Sequence, residues 1–145
     1  DITISACESC TGGMFSNMCV SVPGISHVFD SGFVTYTEKS KIKELGVSPE
    51  TLAEFSAESP EVAREMAAGL AARTGTRIAV SSTGVAGPGS RNGREAGMFV
   101  GLAFDGNVTV RKIATHRDDR EWNRNYCCLV MFDEIRRVLA IRPKI

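Results

Sequence analysis

"ACESCTGG", residues 6–13, decides how the chain is read. It follows "DITISA" (1–6), whose apolar–polar alternation predicts a strand, and runs into "GGMFSNMCVSV" (12–22), which predicts a helix. Thr11 or Ser9 is placed to cap that helix, and Pro23-Gly24 to stop it. The joint is therefore strand–turn–helix. Its residues permit three readings: a thiol pair (Cys7-x-x-Cys10), a serine nucleophile (Ser9), or a turn that only starts a helix.

Working outward, "HVFDSGFVTYT" (27–37) predicts a second strand and "EKSKIKELG" a short helix closed by Gly46. "SPETLAEF" and "SPEVAREMAAGLAARTG" both open Ser-Pro-Glu. Ser48 and Ser59 are their N-caps, with Pro49 and Pro60 at the first helical position. Val62, Met66, Leu70 and Ala71 form a helical stripe that is read as a core face. "RIAVSST" (77–83) is an apolar strand, followed by the Gly-dense "GVAGPGSRNGREAG". Asp105-Gly106 then joins two alternating runs as a hairpin. Residues 117–141 make a long terminal helix. The expected fold is α/β: a single-domain, three-layer α/β/α sandwich with a mixed sheet.

The 145 residues are 43% hydrophobic and 23% charged, enough for one domain with a core. Lys+Arg and Asp+Glu number 17 each, so no basic excess points to nucleic acid or an anionic membrane. No apolar run reaches the ~18 residues of a membrane span, and no signal peptide is recognised. The five cysteines, Cys7, Cys10, Cys19, Cys127 and Cys128, form an odd set, which suggests reduced thiols and the cytoplasm. His27 and His116 are isolated. The first residue already lies in an alternating run, so the expectation is a chain that begins in mid-fold.

Two Gly-rich loops, "SCTGG" and "TGVAGPG" (83–89), follow predicted strands. Strand ends that lead to helix N-termini suit anions, and the two loops together form one pocket or are two tight turns. Neither is a Walker A or a G-x-G-x-x-G sequence. Cys7-x-x-Cys10 at a helix start suits redox thiols, but a single CxxC falls short of a zinc site. Ser9 needs a base. "TYTEKSK" (35–41) supplies Tyr36 and Lys41 at another strand-to-helix joint, or is a solvated helix with Lys39, Lys41 and Lys43.

Taken in order, "ESCTGG", "VPGISHVFDSGFVTYTEKSKIKELGV" and "STGVAGPGS" resemble the C-terminal domain of competence/damage-inducible CinA proteins. This is the nicotinamide-nucleotide amidase family, or nicotinamide mononucleotide deamidases of the PncC type. The resemblance covers nearly the whole chain, read as one domain of residues 1–145 without the family's first helix. It implies an amidohydrolase that converts nicotinamide mononucleotide to nicotinate mononucleotide and ammonia, with no cofactor and no metal. It also implies a small nucleotide as partner, and self-association into a homo-oligomer. Ser9 is then the nucleophile, with Tyr36 and Lys41 as base and proton shuttle. Glu8, Cys10, Thr11, Gly12 and Gly13 meet the substrate from the first loop, Thr83 and Gly84 from the second. Arg124, with Arg120 close by, takes the 5′-phosphate. The sequence departs from the family at Cys7, within "TYTEKSK", and at Arg94 and Glu95. The alternatives are a nucleotide- or phosphate-binding domain without turnover, and a thiol redox protein using Cys7 and Cys10.

Overall fold

The structure is a computed structural model and describes residues 1–90, 97–114 and 118–140. Its order is β1 (Ile4–Glu8), α1 (Met14–Cys19), a 3-10 turn (Ile25–His27), β2 (Phe29–Val34), α2 (Glu38–Leu45), α3 (Pro49–Phe55), α4 (Pro60–Thr74), β3 (Ile78–Val85), β4 (Gly97–Phe104), β5 (Asn107–Ala114) and α5 (Arg120–Ala140). The strands form one mixed sheet in the order β2-β1-β3-β4-β5. β1 pairs in parallel with β2 and β3; β3–β4 and β4–β5 are antiparallel. The α/β sandwich read from the sequence is therefore the observed architecture.

Strand alternation divides the core into two. Ala6, Ile78, Val80, Met98 and Val100 pack on α1 and α5. Cys7, Ala79 and Ala103 pack on the side of α2, α3 and α4, with Val62, Met66 and Leu70. Adjacent side chains of β1 thus enter opposite layers. This parity sends Glu8 toward α1 and Ser9, one residue on, toward α2.

The punctuation residues act as their chemistry predicts. Ser48 and Ser59 cap α3 and α4 by accepting from Thr51 N and Val62 N, each with Pro at the helix start. Gly46 closes α2 at φ 68°. Asp105 and Gly106 turn β4 into β5 at φ 48° and 84°, the positive values that a two-residue hairpin requires. Gly69 sits in the middle of α4, where glycine costs about 1 kcal/mol of helix propensity. A Cβ there would collide with the Leu45 carbonyl, so the glycine lets the end of α2 lie against α4.

The elements differ from expectation at several places: β1 starts at Ile4 and runs on to Glu8 where a strand over 1–6 was expected, and β2 stops at Val34, short of Thr37. α1 ends at Cys19, short of Val22. β2 begins at Phe29, because Ile25–His27 winds into the 3-10 turn. β3 runs on to Val85, because Gly84 and Val85 pair with Met98 and Gly97 instead of opening the loop. Arg94, Glu95 and His116 lie outside the described residues. No helix of the described residues is long and apolar enough to cross a membrane.

Candidate active site

Neither Ser9 nor Thr11 caps α1; the last residue of β1 does so. The fully buried Glu8 carboxylate accepts from Phe15 N at 2.9 Å, Ser16 N at 3.0 Å, Ser16 Oγ at 2.7 Å and Thr11 Oγ1 at 2.7 Å. These donors include first-turn N–H groups that a helix leaves unsatisfied, and a carboxylate is favoured at that end of the helix dipole. Expected at the substrate, Glu8 is instead spent on the helix. Thr11, also expected there, is buried between Glu8 and Ser82 Oγ, 2.7 Å away. Gly12 and Gly13 make the bend itself, with φ of 59° and 98°, the left-handed region that glycine enters without strain.

Ser9 stands at the head of this loop. Its N–H donates to Ser82 O at 3.0 Å and approaches Ser82 Oγ at 3.3 Å. Its hydroxyl accepts from Lys41 Nζ at 3.0 Å. Lys41 is 1% exposed. Its ammonium also donates to Thr35 O at 2.7 Å, with a longer contact to Tyr36 O at 3.4 Å. All three acceptors are neutral. Burial pushes Lys41 below the ordinary lysine value, against an opposing pull from the charge of Glu58 and weaker ones from Cys10, Cys7 and Glu38. The capping box of Thr37 and Ser40 fixes the start of α2, and so the position from which Lys41 reaches back. Tyr36 joins through its carbonyl alone. Its side chain is 56% exposed at the rim, which does not fit the expected proton shuttle.

Both Gly-rich loops border one open cavity of about 660 Å³. Ser9, Cys10, Tyr36, Lys41, Glu58, Gly84, Gly87 and Arg120 are among its walls. The first two turns of α5 hold the loops together. Asn123 Nδ2 donates to Ala86 O at 2.7 Å and Arg120 Nη1 to Gly87 O at 2.7 Å. Arg124 donates to Cys10 O and Thr11 O, both at 3.0 Å. Arg124, expected at a phosphate, is therefore a clamp on the loop after Ser9, and Arg120 is the arginine that lines the cavity. Thr83, expected at the substrate, turns its hydroxyl to Ala57 O at 2.7 Å, toward the α3–α4 turn. Sequence reasoning missed Ser82, Asn123 and Glu58. Ser82 opens the quoted "STGVAGPGS" stretch but went unremarked, and Asn123 and Glu58 lie in no motif; each matters through a partner 37 or more residues away, or through the cavity it shares.

The two thiols of the CxxC belong to different cores. Cys7 lies wholly buried on the α4 side, near the carbonyls of Met66 and Val80, and burial raises its pKa far above the ordinary thiol value. Cys10 lies on the α5 side, where a hydrogen bond with Cys127 favours its thiolate; the same bond and burial raise Cys127. Cys7 and Cys10 straddle the sheet, which disfavours the redox pair. Among the described residues no group of three or more His, Cys, Asp or Glu is placed to hold a metal ion.

A buried serine–lysine pair thus stands at a β-strand end of an α/β sandwich, framed by two Gly-rich loops. Comparison with known proteins narrows this. The CinA C-terminal domain profile matches residues 1–139, and the chain belongs to that family. A Kosmotoga olearia CinA-like protein is 42% identical over 140 residues, covering 95% of this chain and 34% of that protein. A Clostridium perfringens protein, named for competence-damage induction, is 45% identical over the same length and with the same coverage. The chain thus spans about a third of the length of these curated relatives. Among solved structures, competence damage-inducible protein A of Klebsiella pneumoniae superposes with a TM-score of 0.92 at 28% identity, covering 98% of this chain and 89% of that one. The competence/damage inducible protein of Agrobacterium tumefaciens gives 0.87 at 34%, covering 92% and 83%.

Proposed function

We propose that this domain is an amidohydrolase that deamidates nicotinamide mononucleotide to nicotinate mononucleotide, with Ser9 as nucleophile and Lys41 as base. The observation that carries the reading is the 3.0 Å contact between Ser9 Oγ and a Lys41 amine that burial drives toward its neutral form. A domain that only held a nucleotide would need no such pair. An amide is a poor electrophile and ammonia a poor leaving group, so the site must activate a hydroxyl, hold an oxyanion and protonate nitrogen. Neutral Lys41 takes the Ser9 proton as Oγ bonds to the carboxamide carbon. The same proton passes to the departing nitrogen, the C–N bond breaks, and ammonia leaves an ester on Ser9. Water, deprotonated by Lys41, then cleaves that ester and restores the serine.

The carbonyls of Thr35 and Tyr36 aim the amine. Arg124 fixes the Cys10 carbonyl and with it the backbone after Ser9; the N–H of Cys10, a residue of the cavity wall, is the oxyanion donor in this reading. One such donor is typically worth ~3 kcal/mol. Arg120, at the Gly87 side of the cavity, takes the 5′-phosphate, and the exposed Tyr36 ring shields the substrate. The test is ammonia release from nicotinamide mononucleotide. Wild type should release it, while Ser9→Ala should bind the mononucleotide without turnover. Equal rates for the two proteins would refute the mechanism.

A further inference from the structure

The hydrogen bonds around Ser9 run in one direction. The Glu8 carboxylate only accepts, so the single proton of the Thr11 hydroxyl is spent on it at 2.7 Å. The 2.7 Å contact between Thr11 Oγ1 and Ser82 Oγ then has one polarity: Ser82 donates and Thr11 accepts. Ser82 Oγ is left with lone pairs alone, and it takes the Ser9 N–H at 3.3 Å. Ser82 O shares that N–H at 3.0 Å. The result is a directed chain, from Ser9 N–H to Ser82 Oγ–H to Thr11 Oγ1–H to Glu8, and all four residues are buried. A chain that ends on a charge polarises its members, so Ser82 Oγ accepts more strongly than an isolated hydroxyl.

Sheet order gives the chain a purpose. β1 lies between β2 and β3. The Lys41 amine is held from the β2 side, through Thr35 O at 2.7 Å. Ser9 is held from the β3 side, through Ser82. The 3.0 Å approach of Nζ to Ser9 Oγ is thus set by anchors on opposite neighbours of β1. We propose that Ser82 is a positioning residue: its hydroxyl, oriented by Thr11 and Glu8, holds the main chain of Ser9 so that Oγ faces Lys41. The assignment rests on the amidase reading and deepens it. Ser82 does not act on the reacting atoms, because its one proton is committed to Thr11. The Ser9 N–H is likewise engaged, which leaves the oxyanion to the N–H of Cys10. Thr11 gains a role as well: it passes the pull of the Glu8 carboxylate to Ser82.

The experiment is steady-state ammonia release from nicotinamide mononucleotide by Ser82→Ala, Thr11→Val and Thr11→Ser. Ser82→Ala keeps the residue 82 carbonyl that pairs β3 with Ser9, and thermal melting confirms that each variant is folded. In Ser82→Ala kcat should fall about fivefold, on the scale of one neutral hydrogen bond, with KM changed by less than about twofold. Thr11→Val cuts the chain one step further from Ser9 and should lower kcat in the same way. Thr11→Ser keeps the hydroxyl and should restore most of the rate. The double variant Ser82→Ala/Thr11→Val should be little slower than the worse single one, because the hydroxyls act as a unit. A wild-type kcat in Ser82→Ala, a loss confined to KM, or fully additive losses in the double variant overturns the assignment. A second measurement needs no turnover and so separates this from failure of the amidase reading: the amide proton shift of Ser9 by NMR. Loss of an acceptor moves an amide proton upfield. Ser82→Ala and Thr11→Val should both move the Ser9 amide upfield, and Thr11→Ser should not. That pattern upholds the chain even where no ammonia is released; a Ser9 amide unmoved in Ser82→Ala overturns it.

Discussion

Ser5 and Ser9 stand four residues apart along β1 and its exit, and both are buried. At the inner end, Ser5 Oγ lies 2.7 Å from Thr76 Oγ1 and 3.2 Å from Thr74 Oγ1, and those two hydroxyls lie 2.9 Å from each other. Each group there is neutral, and the threonine hydroxyls also donate to Leu70 O at 2.8 Å and Ile78 O at 3.1 Å, so the cluster is fully engaged within the fold. At the outer end, the Ser9 hydroxyl meets an ammonium rather than another hydroxyl, beside an open cavity. A closed hydroxyl cluster adds stability and offers no reactive atom. A buried lysine among neutral acceptors costs stability and stores basicity. The same side chain is scaffold within β1 and, in the proposed mechanism, reagent just past its end, and the partner delivered by a distant element makes the difference.

Exchanging the partner should break the contrast most sharply. Lys41→Met should lower ammonia release by a factor of ~10³ or more, while the melting temperature holds or rises because a desolvated amine is gone. Ser5→Ala should do the reverse, losing about 1 kcal/mol of stability with turnover intact. Chemical denaturation and an ammonia assay on each variant check both. A Lys41→Met protein that keeps its rate would make the two ends equivalent.

Glu8→Gln should fall between these extremes. An amide presents donors to Phe15 N and Ser16 N, which already need acceptors, so unfolding free energy should drop by roughly 2 kcal/mol. The loop that carries Ser9 hangs from the same carboxylate, so kcat should fall about tenfold or more, with KM changing less.

The pH dependence sharpens the account of Lys41. In the proposed mechanism its neutral form is the base, so the rate should rise with pH through a value below the ordinary lysine value of about 10.4. Folded Lys41 binds its proton less tightly than unfolded lysine. Its penalty is full below the folded value and vanishes as pH rises to the unfolded one, so this group makes stability increase with pH across that window. The buried thiols act oppositely. Burial, with the charge of Glu8, pushes Cys19 up to about 11 and Cys128 up to about 12. Their contribution holds below the ordinary thiol value and is lost as pH climbs. The difference in unfolding free energy between wild type and Lys41→Met therefore isolates the lysine, and it should rise with pH. A flat difference would mean that Lys41 is protonated as easily as in water.

The smallest effect should come from the thiols. Cys7→Ala removes one buried sulfur and should cost about 1 kcal/mol with kcat little changed. Cys10→Ala should likewise leave most of the turnover. Loss of activity in either variant, with the fold intact, would return the chemistry to sulfur.

Local chemistry was readable in the sequence wherever a residue acts on its own neighbourhood. Ser48, Ser59, Gly46 and Asp105-Gly106 mark helix and hairpin ends because capping and positive φ are short-range needs. Ser9 and Lys41 stood out because each occupies a strand-to-helix joint, and parallel pairing of β1 with β2 brings those joints together. Long-range ties were not readable. Thr11 was the natural cap by position, but the parity of β1 delivers a stronger acceptor, Glu8, to the same N–H groups. Arg124 had the right charge for a phosphate, yet its place on α5 puts the guanidinium against two loop carbonyls. Glu58 lay just before Ser59, which was read only as a helix cap; the turn that holds it beside the cavity is tied to β3 by the Thr83–Ala57 bond, which no local pattern foretells.

The central claim is that Ser9, activated by Lys41, carries the acyl group. Acid-quenching the wild-type enzyme during turnover of nicotinamide mononucleotide, followed by peptide mapping by mass spectrometry, tests it most directly. The account predicts an acyl adduct on the peptide bearing Ser9, mapped to the serine oxygen and missing from Ser9→Ala. An adduct on Cys10, or ammonia release by Ser9→Ala at the wild-type rate, would contradict it.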